Sequence, residues 1–168
     1  ASLLKLPLAI VYFASAEVQP ELLDTKLTFL GESSGNLHIT KPRESAEVGR
    51  PYSIRDLLRM MLVFSDNVSY DSLEGFLLED DRRVGVRQEI FQELGMIDPK
   101  DRVESTITVR GYASIFRILY NVSFLNEEYS NQILQWLSES EYLNGIVAGV
   151  PRDIAVSHKF GERVYDTG

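Results

Sequence analysis

The sequence predicts a mostly α-helical chain with one strand near its C-terminus. Several segments repeat apolar residues with the 3.6-residue period of a helix, and most of them begin at a capping residue. The segment "DIAVSHKFG" instead alternates with period two, which is typical of a strand. A lone strand needs a partner for its backbone N–H and C=O groups. We therefore expect its pairing strands to lie outside these 168 residues.

The first helix is predicted over Leu3–Val18, a strongly apolar segment. Pro7 lies near its first turn, where the missing N–H does little harm, and Pro20 ends it. Residues 31–50 are rich in Gly, Ser, Pro and charge, and predict a loop with at most a short strand.

Five further helical segments follow, and local signals mark their ends. "YSIRDLLRMMLVF" and "SDNVSYDSLEGFLLE" come first, then "RQEIFQELGM", "VRGYASIFRILYNV" and "EEYSNQILQWLSES". The capping and terminating residues, in chain order, are Ser53 with Asp56, Gly95, Thr108 and Asn126.

Composition excludes several classes of function. The net charge of −8 disfavours binding to a phosphate backbone, so we expect no nucleic-acid partner. Without cysteine there is no disulfide, thiolate zinc site or cysteine nucleophile. The two histidines, His38 and His158, are far apart in sequence, so we expect no metal and no cofactor. The most apolar run, Leu6–Ala16, is too short to span a bilayer, which takes about 20 residues.

Three short motifs can carry chemistry, and the first is Ser2-x-x-Lys5. On a helix this spacing puts both side chains on one face, where a desolvated lysine could act on the serine hydroxyl. The alternative is a helix-capping serine beside a surface lysine. Ser-x-x-Lys arises by chance about once in a chain of this size, so the spacing leaves both interpretations open.

The second and third motifs are similarly ambiguous when taken singly. Ser65-Asp66-Asn67 could direct a hydroxyl and an amide into one cleft, or it could form an ordinary Asx turn. Lys159, before Phe160 and Gly161, could place positive charge in a cleft, or it could protect the edge of a strand.

Together, in this order, the motifs resemble those of class A β-lactamases and penicillin-binding proteins, whose signature is Ser-x-x-Lys, Ser-Asp-Asn and Lys-Thr-Gly. The flanks "ASLLKLP", "YSIRDLLRMMLVFSDNVS" and "GIVAGVPRDIAVSHKFGE" are also similar to that family, as is the helix "TVRGYASIFRILYN". The resemblance implies an α+β parent domain, built from a helical lobe and an antiparallel sheet. Residues 1–168 would form the helical lobe and the Lys-x-Gly strand, without the flanking sheet strands.

The resemblance also implies a role for each motif residue. Ser2 would be the acylated nucleophile and Lys5 would help to deprotonate it. Ser65 would pass a proton to the leaving nitrogen, and Asn67 would hold the substrate's side-chain amide. Lys159 would attract the substrate carboxylate.

Two departures from the family pattern affect the expected activity. Phe160 replaces the threonine whose hydroxyl helps to bind the carboxylate in the family. Gly161 is kept, and the N–H groups of Ser2 and Glu162 would form the oxyanion hole. Between Gly95 and Thr108 there is no Glu-x-x-x-Asn pattern for activating a deacylating water. We therefore expect deacylation to be slow.

Two acidic residues bear on that second departure. Glu104 is the only glutamate between Gly95 and Thr108, and we interpret it as a solvated loop carboxylate. Asp71 replaces an asparagine that the family usually has beside the same loop.

The expected function is a serine hydrolase or acyltransferase that is acylated by β-lactams or by D-Ala-D-Ala-type amides of the peptidoglycan stem. The resemblance implies an extracytoplasmic location, in the periplasm or at the cell surface. The alternative is a catalytically degenerate protein that binds peptidoglycan fragments or a protein partner. Expressed alone, the chain is expected to expose the sheet-facing side of Leu3–Val18 and an unpaired strand, which could cause self-association.

Overall fold

The computed structural model describes residues 2–31, 42–96 and 108–161. Six α-helices and two short strands form in those ranges, with 3-10 turns at Ser2–Leu4, Pro20–Asp24 and Gly145–Gly149. The helices and strands are α1 (Lys5–Val18), β1 (Lys26–Thr28), β2 (Pro51–Ser53), α2 (Ile54–Val63), α3 (Asn67–Leu78), α4 (Asp81–Glu93), α5 (Val109–Tyr120) and α6 (Glu127–Ser138). The mostly helical class is confirmed.

The helix starts follow from local hydrogen bonds that the sequence predicts. Ser53 accepts from the N–H of Asp56 at the start of α2, and Thr108 accepts from Gly111 at the start of α5. Asn126 accepts from the N–H of Tyr129 at the start of α6. Glu127 and Glu128 lie in the first turn, where their negative charges interact favourably with the helix dipole. Gly95, with φ of +69°, follows α4 in the left-handed region that favours glycine.

Helix α1 lies in the centre of the molecule. Every residue from Lys5 to Phe13 is buried, which suits a helix that is apolar on all sides. It contacts α2, α4 and the Pro20–Asp24 turn. Phe13 also packs against α6, with its ring centroid 5.0 Å from that of Tyr129 and 5.8 Å from that of Trp136. The expectation that this chain would expose one side of the helix is therefore wrong, because its own helices cover it.

The strand predicted near the C-terminus has no ladder partner within the described residues, so it stays a prediction. The described residues contain one antiparallel pair, β1 with β2, in which Leu27 lies opposite Tyr52, and residues 154–161 pair with neither strand. Within this segment Ile154 is 55% exposed, while Lys159 is 7% exposed. A strand needs a neighbouring ladder, and here Ser157 and His158 donate hydrogen bonds to the C-terminal half of α6 instead.

Candidate active site

The first motif lies where the chain enters α1. Ser2 is half-buried in the 3-10 turn, and Lys5 is the first residue of the α-helix. Lys5 is only 2% exposed, and its Nζ lies 3.5 Å from Ser2 Oγ. The two side chains therefore meet as their spacing predicts.

Lys5 is also connected to the second motif. Its Nζ donates to the carbonyl oxygen of Ser65, lies 3.3 Å from Ser65 Oγ, and donates to Asn67 Oδ1 at 2.5 Å. Burial lowers the pKa of Lys5 to about 8, and the nearby carboxylates of Asp66 and Asp71 oppose that shift. About a tenth of Lys5 is then neutral at pH 7, compared with less than a thousandth for a free lysine.

The Ser65-Asp66-Asn67 turn joins α2 to α3 in an unusual backbone conformation. Ser65 has φ of +57°, a left-handed value that is uncommon outside glycine. Its side chain is 2% exposed and faces Lys5. Such strain persists only where the surroundings fix the backbone, and it is concentrated at functional sites.

Asp66 holds that turn in place. It caps α3 by accepting from the N–H and the hydroxyl of Ser69, at 2.8 and 2.5 Å. It also accepts from Ser45 Oγ at 2.5 Å and from the N–H of Ala46 at 3.2 Å. With 1% exposure and four donors, this carboxylate ties the turn to a separate loop and so determines where Ser65 and Asn67 lie.

The third motif, near the C-terminal end of the described chain, also contacts Ser65. Lys159 Nζ donates to Ser65 Oγ at 2.8 Å and to the carbonyl oxygen of Phe160 at 3.0 Å. Two hydrogen bonds hold this segment against α6, from Ser157 Oγ to Leu134 O at 2.7 Å and from the N–H of His158 to Leu137 O at 3.3 Å.

His158 itself stays outside the cluster of motif side chains. Burial and the charge of Lys159 lower the pKa of His158. It therefore remains neutral over a wider range of pH and adds no positive charge beside Lys159.

Gly161 packs closely against the start of the chain. A Cβ atom built on Gly161 would lie 3.0 Å from Leu3 Cγ and 3.3 Å from Leu3 Cδ2, so a larger residue fits only if its surroundings move by a few tenths of an ångström. The last motif residue thus contacts the neighbour of Ser2. Glu162, whose N–H is expected in the oxyanion hole, lies outside the described residues, as does Glu104.

Phe160 makes a contact that the sequence does not predict. Its ring stacks on Tyr142, with centroids 4.4 Å apart and an interplanar angle of 16°. Lys159 Nζ lies 4.2 Å from the Phe160 centroid. No periodic pattern joins Tyr142 to Phe160, since both lie in non-helical segments after α6.

The arrangement brings two serine hydroxyls and two buried lysine side chains together. Ser65 Oγ lies within hydrogen-bond distance of both lysine ammonium groups, and one of these lysines also reaches Ser2 Oγ. A proton could pass from Ser2 to neutral Lys5 and onward through Ser65. The described ranges hold no cluster of three or more His, Cys, Asp or Glu side chains that could bind a metal ion.

The sequence model of the Beta-lactamase enzyme family matches residues 1–164. No curated protein sequence matches the chain. Among the helices that the structure describes, none has the length and apolar character needed to cross a membrane.

Solved structures share the fold. A mutant of PBP-A, described as an acyl-enzyme complex with penicillin G, is 18% identical with a TM-score of 0.71 over 96% of this chain and 62% of that one. A second PBP-A structure gives 18% and 0.70 over the same shares. A beta-lactamase from Sphaerobacter thermophilus is 19% identical, with a TM-score of 0.69 over 90% of this chain and 59% of its own. The chain thus spans about three-fifths of the length of these structures.

Proposed function

The chain belongs to the Beta-lactamase enzyme family, and from that premise we propose that it supplies the acylation machinery of a serine β-lactam-reactive hydrolase or acyltransferase. The observation that carries the proposal is the position of Lys5. Its buried Nζ lies 3.5 Å from Ser2 Oγ and 3.3 Å from Ser65 Oγ, and its pKa is lowered to about 8. A buried lysine of this kind can be the base of a serine nucleophile.

In the proposed acylation, Ser2 Oγ attacks the carbonyl carbon of a β-lactam or a D-Ala-D-Ala-type amide. Neutral Lys5 accepts the hydroxyl proton as the new C–O bond forms. Ser65 then donates its own proton to the leaving nitrogen as the C–N bond breaks, and Lys5 restores the proton on Ser65. The short Lys5–Ser65 and Lys159–Ser65 distances support this route, since general acid–base catalysis requires hydrogen-bond contact.

We assign substrate binding to polar groups around the hydroxyls of Ser2 and Ser65. Asn67 is half-buried, and its Oδ1 accepts from Lys5, which leaves its NH₂ group as the donor to a substrate carbonyl. Lys159 provides positive charge on the other side of Ser65. We assign the oxyanion hole to the N–H groups of Ser2 and Glu162. We propose slow deacylation, because the sequence offers no glutamate pattern for activating water.

We also propose that the chain forms the helical part of a larger, extracytoplasmic catalytic domain. Its coverage of 62% of the PBP-A structure supports the larger domain. In that case a longer gene product that includes further sheet strands would be acylated faster than the isolated 168 residues.

The test is covalent labelling of Ser2 with a fluorescent penicillin, read by intact mass and by gel. We expect a mass increase equal to that of the intact penicillin, loss of labelling in Ser2→Ala, and retained labelling in Ser114→Ala, which removes an exposed serine of α5. Labelling that persists in Ser2→Ala would overturn the assignment of the nucleophile. Reversible binding without any mass increase would instead support the degenerate binding protein.

A further inference from the structure

Two aromatic side chains lie beside the cluster of polar motif residues. Phe160 and Tyr142 are stacked, and both remain half-buried rather than fully covered. Phe160 directly follows Lys159, whose ammonium group contacts both the Phe160 ring and Ser65 Oγ. The aromatic pair is therefore one side chain away from the hydroxyl that is proposed to meet the leaving group.

Neither ring is needed for the core of the molecule. The large buried side chains of that core lie on the helices and the segments between them, whereas Tyr142 and Phe160 lie in the irregular segments after α6. The position of Phe160 is fixed from both sides, by the Lys159 hydrogen bonds before it and by the close Gly161–Leu3 contact after it. A ring held in this way forms a preorganised wall, and binding a ligand there requires little rearrangement.

From this geometry we propose that Phe160 and Tyr142 form a specificity subsite for a planar aromatic group on the acyl donor. Tyr142 covers one face of Phe160 and the Lys159 ammonium lies over the ring, 4.2 Å from its centroid. A flat ring on the substrate would therefore stack on the outer face of Tyr142 and meet Phe160 at its edge. A saturated ring of the same size buries similar apolar area but lacks the stacking geometry. The inference rests on the proposed function, because it assigns part of the substrate at the same site.

The experiment separates recognition of the ring from chemistry at the serine. Binding of N-acetylphenylalanine amide and of N-acetylcyclohexylalanine amide, a matched pair, is measured by NMR titration on the full chain carrying Ser2→Ala. We expect the Kd of the phenyl compound to be about fivefold lower than that of the cyclohexyl compound, a ratio within the range that aromatic pairs contribute. The preference should fall to about one in Phe160→Leu and in Tyr142→Leu, and should persist in Tyr142→Phe, which keeps the stack.

Each outcome decides one question. Equal affinities, no binding of either compound, or a preference that survives both leucine variants would overturn the aromatic subsite. Using two leucine variants keeps the test valid if one of them does not fold, as judged by far-UV circular dichroism. Acylation of Ser2 is measured separately on the unsubstituted chain. A phenyl preference without acylation would overturn the proposed function alone, and acylation without a preference would overturn the subsite alone.

Discussion

Lys159 Nζ donates a 2.8 Å hydrogen bond to Ser65 Oγ, although the two residues are 94 positions apart. Lys5 Nζ approaches the same hydroxyl at 3.3 Å from the opposite end of the sequence. A serine flanked by two ammonium groups is a good proton relay, because its oxygen can accept from either lysine while its own proton goes to a third atom.

The first prediction concerns this hydroxyl. Ser65→Ala should lower the rate of acylation of Ser2 by about 100-fold or more, since general acid–base groups contribute on the order of 10² to 10⁴. The left-handed backbone at Ser65 could add a folding defect in the alanine variant. Ser65→Gly is therefore the matched variant, because glycine adopts this φ without strain. Near-normal acylation by the glycine variant, measured by stopped-flow fluorescence, would show that Ser65 is not the relay.

The helix boundaries were predictable because their signals are local. Ser53, Thr108 and Asn126 cap the helices that they precede, and each of these hydrogen bonds spans three residues. The apolar residues of α1 predicted a largely buried helix, but they did not predict that the chain's own helices would cover the side expected to face a sheet.

Contacts between distant segments were not predictable to the same degree. The alternation over residues 154–160 predicted a strand, but a strand also requires a neighbouring ladder, which the described chain does not provide there. The strands that do form have three residues each, too few to show a period. The stack of Tyr142 on Phe160 joins residues of irregular segments, for which the sequence carries no spacing rule. The Lys5, Ser65 and Lys159 cluster was predicted only through the resemblance to a family.

The second prediction concerns the pH dependence of acylation. If neutral Lys5 is the base, the acylation rate should rise with pH and reach half of its plateau near pH 8, the pKa that burial gives to Lys5. The carboxylate of Asp71 raises this pKa, so Asp71→Asn should move the midpoint to lower pH. Glu93→Gln, on the exposed surface of α4, is the control and should leave the midpoint unchanged. An upward shift in Asp71→Asn would contradict the assignment.

The third prediction concerns stability. The pKa of Lys5 is about 8 in the folded chain and about 10.5 when unfolded, so below pH 8 both states are protonated and the folded state carries the full cost of a buried charge. As pH rises from 8 to 10.5 this cost disappears. Relative to Lys5→Met, the free energy of unfolding should therefore increase by up to about 3 kcal/mol across that window.

Urea denaturation at several pH values measures this difference. Tyrosine ionisation affects both proteins equally, so it cancels in the comparison. Parallel stability curves for the chain and for Lys5→Met would mean that the ammonium group is well solvated in the folded state.

The fourth prediction tests the contact between the two ends of the described chain. In Gly161→Ala the new Cβ would lie 3.0 Å from Leu3 Cγ, so either the Leu3 side chain or the segment that carries Lys159 must move by a few tenths of an ångström, and we expect the segment to move. Displacements below 1 Å at a catalytic site can cost on the order of tenfold in rate, and we expect a loss of about that size in acylation. Gly149→Ala is the matched control, because nothing lies within 4 Å of its Cβ position.

Replacing Leu3 by alanine removes the atoms that clash with the new Cβ. The double variant Leu3→Ala/Gly161→Ala should therefore be acylated faster than the summed effects of the two single variants predict. Strict additivity in this cycle would show that the Leu3–Gly161 contact does not determine the position of the third motif.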